Sequence, residues 1–167
     1  MIAAVCPTFR GRLKGGAAVN ATIELLGRQH QEVLARLAAV ESGFSACGAN
    51  GELSDFVSFL EREVASHFTV EEEALFPVLG RRLGFTQGPL AVMLAEHKAF
   101  RELMHDLSGS VRSGDVEQQR TCTLDLIELL RGHIAKEDNV LFPMALRMLT
   151  AEEHREVDSL AAAVDGL

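Results

Sequence analysis

The sequence predicts an all-α protein: an up-down-up-down antiparallel four-helix bundle with a short C-terminal helix. Apolar residues recur every three or four positions through most of the 167 residues, which is the helical period. No segment alternates apolar and polar residues with the period of two that is typical of a half-buried strand. Glycine-rich stretches interrupt the pattern at 41–51, 84–89 and 108–115, and the short loops that they predict favour antiparallel neighbours.

The first two predicted helices cover about residues 19–40 and 53–83, and each carries one apolar stripe. The stripe of the first helix consists of Val19, Ile23, Leu26, His30, Val33 and Leu37. The stripe of the second helix consists of Leu53, Val57, Leu60, Val64, His67, Glu71, Leu75 and Val78. Because residues three and four apart share a helix face, both stripes are predicted to face the core.

The third and fourth predicted helices begin with recognisable signals. Pro89 is a favoured first-turn residue, and Asp115 is a candidate N-cap with Gln118 as its capping-box partner. The third stripe consists of Leu90, Met93, His97, Phe100, Met104 and Leu107. The fourth consists of Cys122, Leu126, Leu130, His133, Glu137, Val140 and Met144. Pro77 and Pro143 lie inside continuing helical patterns, where we expect a kink or a break.

The chain is predicted to form one domain with a short extension at each end. Residues 1–18 are predicted to be a flexible segment, 19–149 the bundle, and 150–167 a C-terminal helix packed on the bundle. Thr150 and Glu153 form a capping box for that last helix. No stretch approaches the roughly 18 uncharged residues of a membrane helix, and the start does not have the order of a secretory signal. We therefore expect a cytoplasmic protein with no membrane partner.

Charge and composition narrow the range of functions. The formal net charge is −8 and the acidic residues are spread along the chain, which argues against a nucleic-acid partner because such partners need a basic surface. The chain has no Tyr, which excludes a stable tyrosyl radical within it. Three cysteines form no CxxC pair and are expected to be free thiols in a reducing compartment: Cys6, Cys47 and Cys122.

Four histidines lie on the four stripes, one on each helix: His30, His67, His97 and His133. The spacing between the first and the third is almost the same as that between the second and the fourth. The motif H-x-x-x-E-x-x-x-L-F-P occurs twice, as "HFTVEEEALFP" and "HIAKEDNVLFP", and it places a glutamate one turn after each histidine, on the same face. We interpret the chain as a duplicated helix pair whose histidines meet at about one level of the bundle.

A set of inward imidazoles and carboxylates favours a metal site. Burying such groups costs on the order of several kcal/mol each unless something compensates, and two facing carboxylates repel. Divalent cations remove both problems, and a mixed nitrogen and oxygen donor set favours Fe, Mn or Zn over Mg or Ca. The candidate metal ligands are His30, His67, Glu71, His97, His133 and Glu137.

Neighbouring polar residues leave alternatives open. Glu72 and Asp138 each follow one of the two glutamates by one position, and we expect them to be solvated or to support the ligands. A small rotation of the helix would exchange either residue with its neighbour. His105 and His154 fit no such pattern and are expected at the surface.

The segments "RQHQEV", "HFTVEE", "AEHKAF" and "HIAKED", with "LFP" after both H-x-x-x-E motifs, resemble the hemerythrin-like, HHE cation-binding family over about residues 20–147. The resemblance implies a non-haem di-iron centre inside a four-helix bundle. It implies two iron ions with an oxo or hydroxo bridge, the six candidate ligands around them, and chemistry on O2 or a related diatomic such as NO.

One departure from the family pattern concerns the third helix. Oxygen-carrying hemerythrins have two histidines four positions apart there, whereas this chain has His97 and then Arg101. Without the fifth histidine we expect two open iron positions instead of one, and rapid oxidation in air instead of reversible O2 carriage. Either Arg101 faces the iron, or Phe100 takes the inward place and Arg101 extends to the surface.

The resemblance leaves three roles open. We expect first a protein that binds or senses O2 or NO and is not an enzyme, because a histidine-rich site favours holding iron while a small ligand exchanges. One alternative is a di-iron enzyme with peroxidase-like or oxidase-like activity. Another is iron handling or iron-centre repair, which we rank lower because repair relatives carry an N-terminal cysteine-containing domain and only a short segment precedes His30. The identity of a protein partner is left open as well.

Overall fold

The computed structural model describes residues 20–44 and 50–164, and no strand occurs within these ranges. The all-α fold class is therefore confirmed for this part of the chain. The predicted flexible segment 1–18 lies outside the described residues, as do Cys6 and Cys47. None of the described helices is both long and apolar enough to span a lipid bilayer.

Five helical runs make up the described residues, and three of their turns are π turns, in which the backbone hydrogen bond reaches back five residues. The first run is α1 (Ala21–Phe44). The second consists of α2 (Asn50–Phe59), π1 (Leu60–Val64), α3 (Ala65–Val70), π2 (Glu71–Leu75) and α4 (Phe76–Leu83). The third is α5 (Pro89–Ser113), the fourth consists of α6 (Val116–Lys136), π3 (Glu137–Leu141) and α7 (Phe142–Met148), and the fifth is α8 (Ala151–Val164).

The helix ends follow the signals in the sequence. Helix α5 begins at Pro89 and ends before Gly114, whose φ of 74° is the left-handed conformation that favours glycine. The side chain of Asp115 accepts a hydrogen bond from the backbone N–H of Gln118 and caps α6. The side chain of Gln118 contacts the sulfur of Cys122 and does not return to Asp115, so only half of the predicted capping box forms.

Two of the π turns lie directly ahead of the prolines inside the helices. The backbone N–H of Phe76 bonds to the carbonyl of Glu71, and that of Phe142 bonds to the carbonyl of Glu137. The chain stays helical through Pro77, which follows Phe76, and through the equivalent proline in α7. The irregularity expected at the prolines therefore takes the form of a widened turn, and each such turn begins at a candidate ligand.

The π turns change which residues face the core. The turn π3 shifts the apolar stripe after it by one position, so Leu141 and Ala145 are buried where the helical period predicted Val140 and Met144. Val140 is 48% exposed and Met144 is half-buried. Both predictions were therefore wrong. In the second run Val57 is also only half-buried, because the adjacent phenylalanine occupies the core position.

The core consists of two apolar clusters. The first cluster includes Leu26, Leu75, Leu79, Leu90, Met93 and Val157. The second cluster includes Val33, Leu37, Phe56, Leu60, Phe100, Leu107 and Leu126. Along α1, His30 lies between residues of the first and second clusters, and His97 occupies the same place along α5. The candidate ligands thus form a polar layer between two apolar ones.

Helix α8 packs against the first cluster through His154, Val157 and Ala161, which share one face. The prediction that His154 lies at the surface was wrong: its side chain is 4% exposed, and its carbonyl accepts a hydrogen bond from Asn20. The i, i+3, i+7 spacing of that face explains the burial. His105 is exposed, as predicted.

Candidate metal centre

The six candidate ligands lie together in the polar layer, and none is more than 4% exposed. The Nε2 atoms of His30 and His133 are 3.1 and 3.3 Å from Oε2 of Glu137. The Nε2 atoms of His67 and His97 are 3.5 and 3.3 Å from the two oxygens of Glu71. Each glutamate therefore faces histidines from both halves of the chain.

The potential ligand atoms fall into two groups that could each hold a cation. One group consists of Glu71, His97, His133 and Glu137, and the other consists of His30, His67 and Glu137. The atoms of each group lie within 4.8 Å of one another. Because Glu137 belongs to both groups, the two positions are adjacent and share a carboxylate.

The polar atoms at the centre lack partners that a protein without metal would need. Both carboxylate oxygens of Glu71 and of Glu137, and Nε2 of His97 and of His133, are buried without a hydrogen bond of normal geometry. A buried carboxylate without a partner is strongly unfavourable. Cations at the two positions would satisfy all these atoms at once, so the donor set fits a metal centre.

The buried charges of the centre shift one another's protonation. Burial lowers the pKa of His67, but the negative charge of Glu71 and interactions with Glu137 outweigh burial and raise this pKa to about 10. Burial raises the pKa of Glu71, but the charge of His67 and the close approach of His67 and His97 hold it well below its ordinary value. Binding of a cation beside His67 would therefore release a proton.

The outward nitrogen of every candidate histidine has an oxygen partner. Nδ1 of His30 is 2.7 Å from Asp138, and Nδ1 of His97 is 2.6 Å from Glu72. The two residues whose role the sequence left open thus support histidines and do not replace the glutamates. An acceptor at Nδ1 fixes the tautomer that leaves Nε2 free toward the centre.

The other two supporting residues, Gln29 and Glu96, were not predicted from the sequence. Nδ1 of His67 is 2.9 Å from the amide oxygen of Gln29, and Nδ1 of His133 is 3.0 Å from a carboxylate oxygen of Glu96. A signal was present, because each of these residues directly precedes a candidate histidine, His30 in one case and His97 in the other. Gln29 and Glu96 are therefore separated by the same number of residues as His30 and His97.

Aromatic and aliphatic side chains enclose the layer. Phe68 stacks on His97 with ring centroids 3.6 Å apart, and Phe142 stacks on His30 at 5.3 Å. Beside the histidines is a small apolar cavity of about 10 Å³, close to the space that one water molecule needs. Its lining consists of His30, Val33, Val64, His67, Phe68, Leu130, His133 and Ile134. A small neutral molecule fits this space, and a large or charged substrate does not.

Arg101 does not point into the layer. Its guanidinium is about half exposed and donates to Glu72 at 2.8 Å, whereas Phe100 is 3% exposed and packs against Phe68. Of the two alternatives for this position, the structure shows the one in which Phe100 points inward. Arg101 therefore reaches the centre only indirectly, through the carboxylate that supports His97.

Comparisons with known proteins agree with this geometry. The family model for the hemerythrin HHE cation binding domain matches residues 21–145. Similar curated proteins include the iron-sulfur cluster repair protein YtfE of Escherichia coli O139:H28 (strain E24377A / ETEC), of Escherichia coli (strain K12 / DH10B) and of Shigella boydii serotype 18 (strain CDC 3083-94 / BS512). Each is 32% identical over 103 residues, which cover 56% of this chain and 47% of the relative. The chain thus spans about half the length of these relatives. No solved structure matches.

Proposed function

The chain belongs to the hemerythrin HHE cation binding domain family, and we propose that its polar layer holds two iron ions. His30, His67 and Glu137 would hold one ion, and His97, His133, Glu71 and Glu137 would hold the other. The observation that carries this proposal is the set of buried, unpartnered atoms at the centre. We also propose that the four long runs alternate in direction, as their short connections at 84–88 and 114–115 favour.

Bound iron would supply a redox-active cation with positions open to a small ligand. The surrounding residues would orient the histidines and exclude water. The four Nδ1 acceptors hold the imidazoles in one tautomer and orientation. Phe68 and Phe142 cover the rings and exclude water, which strengthens electrostatic interactions inside the layer.

The role that we propose is iron handling in the service of iron–sulfur cluster repair. The similarity to YtfE supports this role over the one ranked first from the sequence, since the name of those relatives states cluster repair. The role needs a protein that holds iron in a defined site and gives it to an acceptor. The similarity covers about half of YtfE, so support for this role comes from the matching region alone.

Binding of O2 or NO is a second candidate role. The small apolar cavity beside His30, His67 and His133 favours it, because a neutral diatomic molecule is the kind of ligand that such a space accepts. The two roles are compatible in one site. They differ in what leaves the protein: iron in the first, and only the small ligand in the second.

Metal analysis and a repair assay test the proposal. We expect about two irons per chain and a charge-transfer band in the near-ultraviolet. One zinc per chain with a featureless spectrum would contradict the di-iron centre. For the role, the iron-loaded protein is mixed anaerobically, with dithiothreitol as the electron donor, with a protein whose [4Fe–4S] cluster peroxide has damaged, and return of the cluster absorbance is followed. Recovery no faster than with an equal amount of free ferrous iron would contradict a repair function, and a stoichiometric NO adduct would then favour the second role.

A further inference from the structure

The two halves of the centre differ at one supporting residue. His67 and His133 occupy equivalent positions in the two copies of the repeated motif, but Nδ1 of His67 faces the neutral amide oxygen of Gln29, whereas Nδ1 of His133 faces the carboxylate of Glu96. The other two histidines both face carboxylates, Asp138 and Glu72. Among the four candidate histidines, His67 therefore has the one uncharged acceptor.

The type of acceptor changes how strongly an imidazole binds a cation. A carboxylate that accepts the Nδ1 proton draws it away from the ring and makes Nε2 a better electron donor. An amide oxygen carries no net charge, and its hydrogen bond is weaker than a charge-assisted one. His67 should consequently be a weaker ligand than His133.

Lys136 does not remove this difference. Its ammonium contacts the other oxygen of Glu96 and is nearly half exposed, so water screens its field. The imidazole of His133, by contrast, is 2% exposed where it meets Glu96. The buried hydrogen bond thus outweighs the screened cation in setting the properties of His133.

The number of potential ligand atoms also favours tighter binding beside His97 and His133. The group around His97 and His133 brings four ligand atoms within 4.8 Å of one another, two of them from carboxylates. The group around His30 and His67 has three, one of them from Glu137, while Oε1 of Glu71 lies 3.5 Å from Nε2 of His67 and outside that group. A less compact donor set and an uncharged acceptor at Nδ1 both reduce affinity for a divalent cation.

We propose that Gln29 makes the position formed by His30 and His67 the weaker of the two iron positions, and that the iron held there is the one this protein gives up. The proposal rests on the di-iron function proposed above. The iron that leaves is thus the one in a particular half of the centre, although the ligands of the two halves come from a duplicated motif. Gln29 acts as a positioning residue: it contacts His67 and not the metal.

Exchange of the two supporting residues tests the proposal. The near-isosteric variants are Gln29→Glu and Glu96→Gln, and each is loaded anaerobically with ferrous iron and mixed with excess of a chelator that colours on binding Fe(II). For the unmodified protein we expect two release phases of equal amplitude. Gln29→Glu should slow the fast phase about 10-fold, and Glu96→Gln should accelerate the slow phase by a similar factor, since changes around a ligand alter metal affinity by about 10–100-fold.

A crystal structure after the fast phase identifies the iron that has left. Anomalous scattering should then show the remaining iron beside His97 and His133. Iron remaining beside His30 and His67, a single release phase, or a fast phase unchanged in Gln29→Glu would each overturn the inference. A protein that binds fewer than two irons when loaded would instead overturn the proposed function, so the two failures are distinguishable. Circular dichroism melting of both variants confirms that each is folded.

Discussion

Two groups of polar residues in this protein are arranged in opposite ways. The polar layer buries two carboxylates and several imidazole nitrogens without partners. The ion pairs between α4 and α8 lie at the surface and are paired, as in the bidentate contact of Arg81 with Glu156 and that of Arg82 with Glu153. A buried polar group without a partner is costly, and natural proteins retain it where something else binds. Surface pairs contribute little and need no ligand to explain them.

The largest expected effect is loss of metal from the polar layer. Glu137 belongs to both groups of ligand atoms, so Glu137→Ala should leave less than half of the iron of the unmodified protein. Glu71→Ala removes a carboxylate from one group and should lose about one iron per chain. Iron content after purification, measured by elemental analysis, checks both.

Two control variants change residues outside the layer. Both variants, His105→Ala and Arg101→His, should keep full iron content because both side chains are exposed, and His105→Ala should also leave the near-ultraviolet spectrum unchanged. If Glu137→Ala retained two irons, Asp138 would be the bridging residue and the orientation of this helix would differ from the one described above. Loss of iron from Arg101→His would contradict the outward position of Arg101, whereas a small change of its spectrum alone would reflect the lost contact with Glu72.

The second-largest expected effect is a loss of thermal stability when the metal is removed. Removing the metal leaves the oxygens of Glu71 and Glu137 unpartnered, and a cation that binds the folded state alone adds its binding free energy to folding. We expect the melting temperature to fall by roughly 10 °C or more on chelation, and to return when ferrous iron is restored. Differential scanning calorimetry checks this, and an unchanged melting temperature would mean that the layer does not hold metal in the folded protein.

The smallest effect is expected at the contacts of α8. Arg82→Ala should lower the melting temperature by about 2 °C or less, since exposed ion pairs contribute little. The hydrogen bond from Arg82, followed by those from Thr150, lowers the pKa of Glu153 to about 2. Because this pKa is lower in the folded state, the contribution of Glu153 is present above its ordinary value of 4.5 and is lost as the pH falls toward 2. Melting curves should therefore show a smaller Arg82→Ala effect at pH 2 than at pH 7.

The sequence was sufficient for the helices and for the residues of the polar layer because both rest on periodicity. One histidine per stripe and the duplicated H-x-x-x-E motif brought six distant residues to one level, and the structure places all six there. Periodicity did not predict which residues are buried where a π turn changes the helical period. Val140 was assigned to the core because a regular helix was assumed, and π3 turns it toward solvent.

Other misses have different physical reasons. His154 is buried because α8 packs on the first cluster, and its spacing from Val157 and Ala161 identifies the shared face only once that packing is known. Gln29 and Glu96 lie beside the stripes, where polar residues are ordinarily solvated. Each supports a histidine of another helix, and only the packed structure brings the two side chains within hydrogen-bonding distance.

The widened turns that begin at Glu71 and Glu137 also determine which kinds of mutation these helices can accept. Each turn contains one residue more than an α-helix would use, and one residue corresponds to a rotation of about 100° around the helix axis. Deleting Asn139 would restore a regular α-helix and keep Phe142 facing the ring of His30, whereas one further inserted residue would rotate Phe142 away from that ring. Substitutions on the solvent side of these turns leave that orientation intact. The motif between histidine and proline can therefore lose one residue at the widened turn with less effect on the helix that follows than it can gain one.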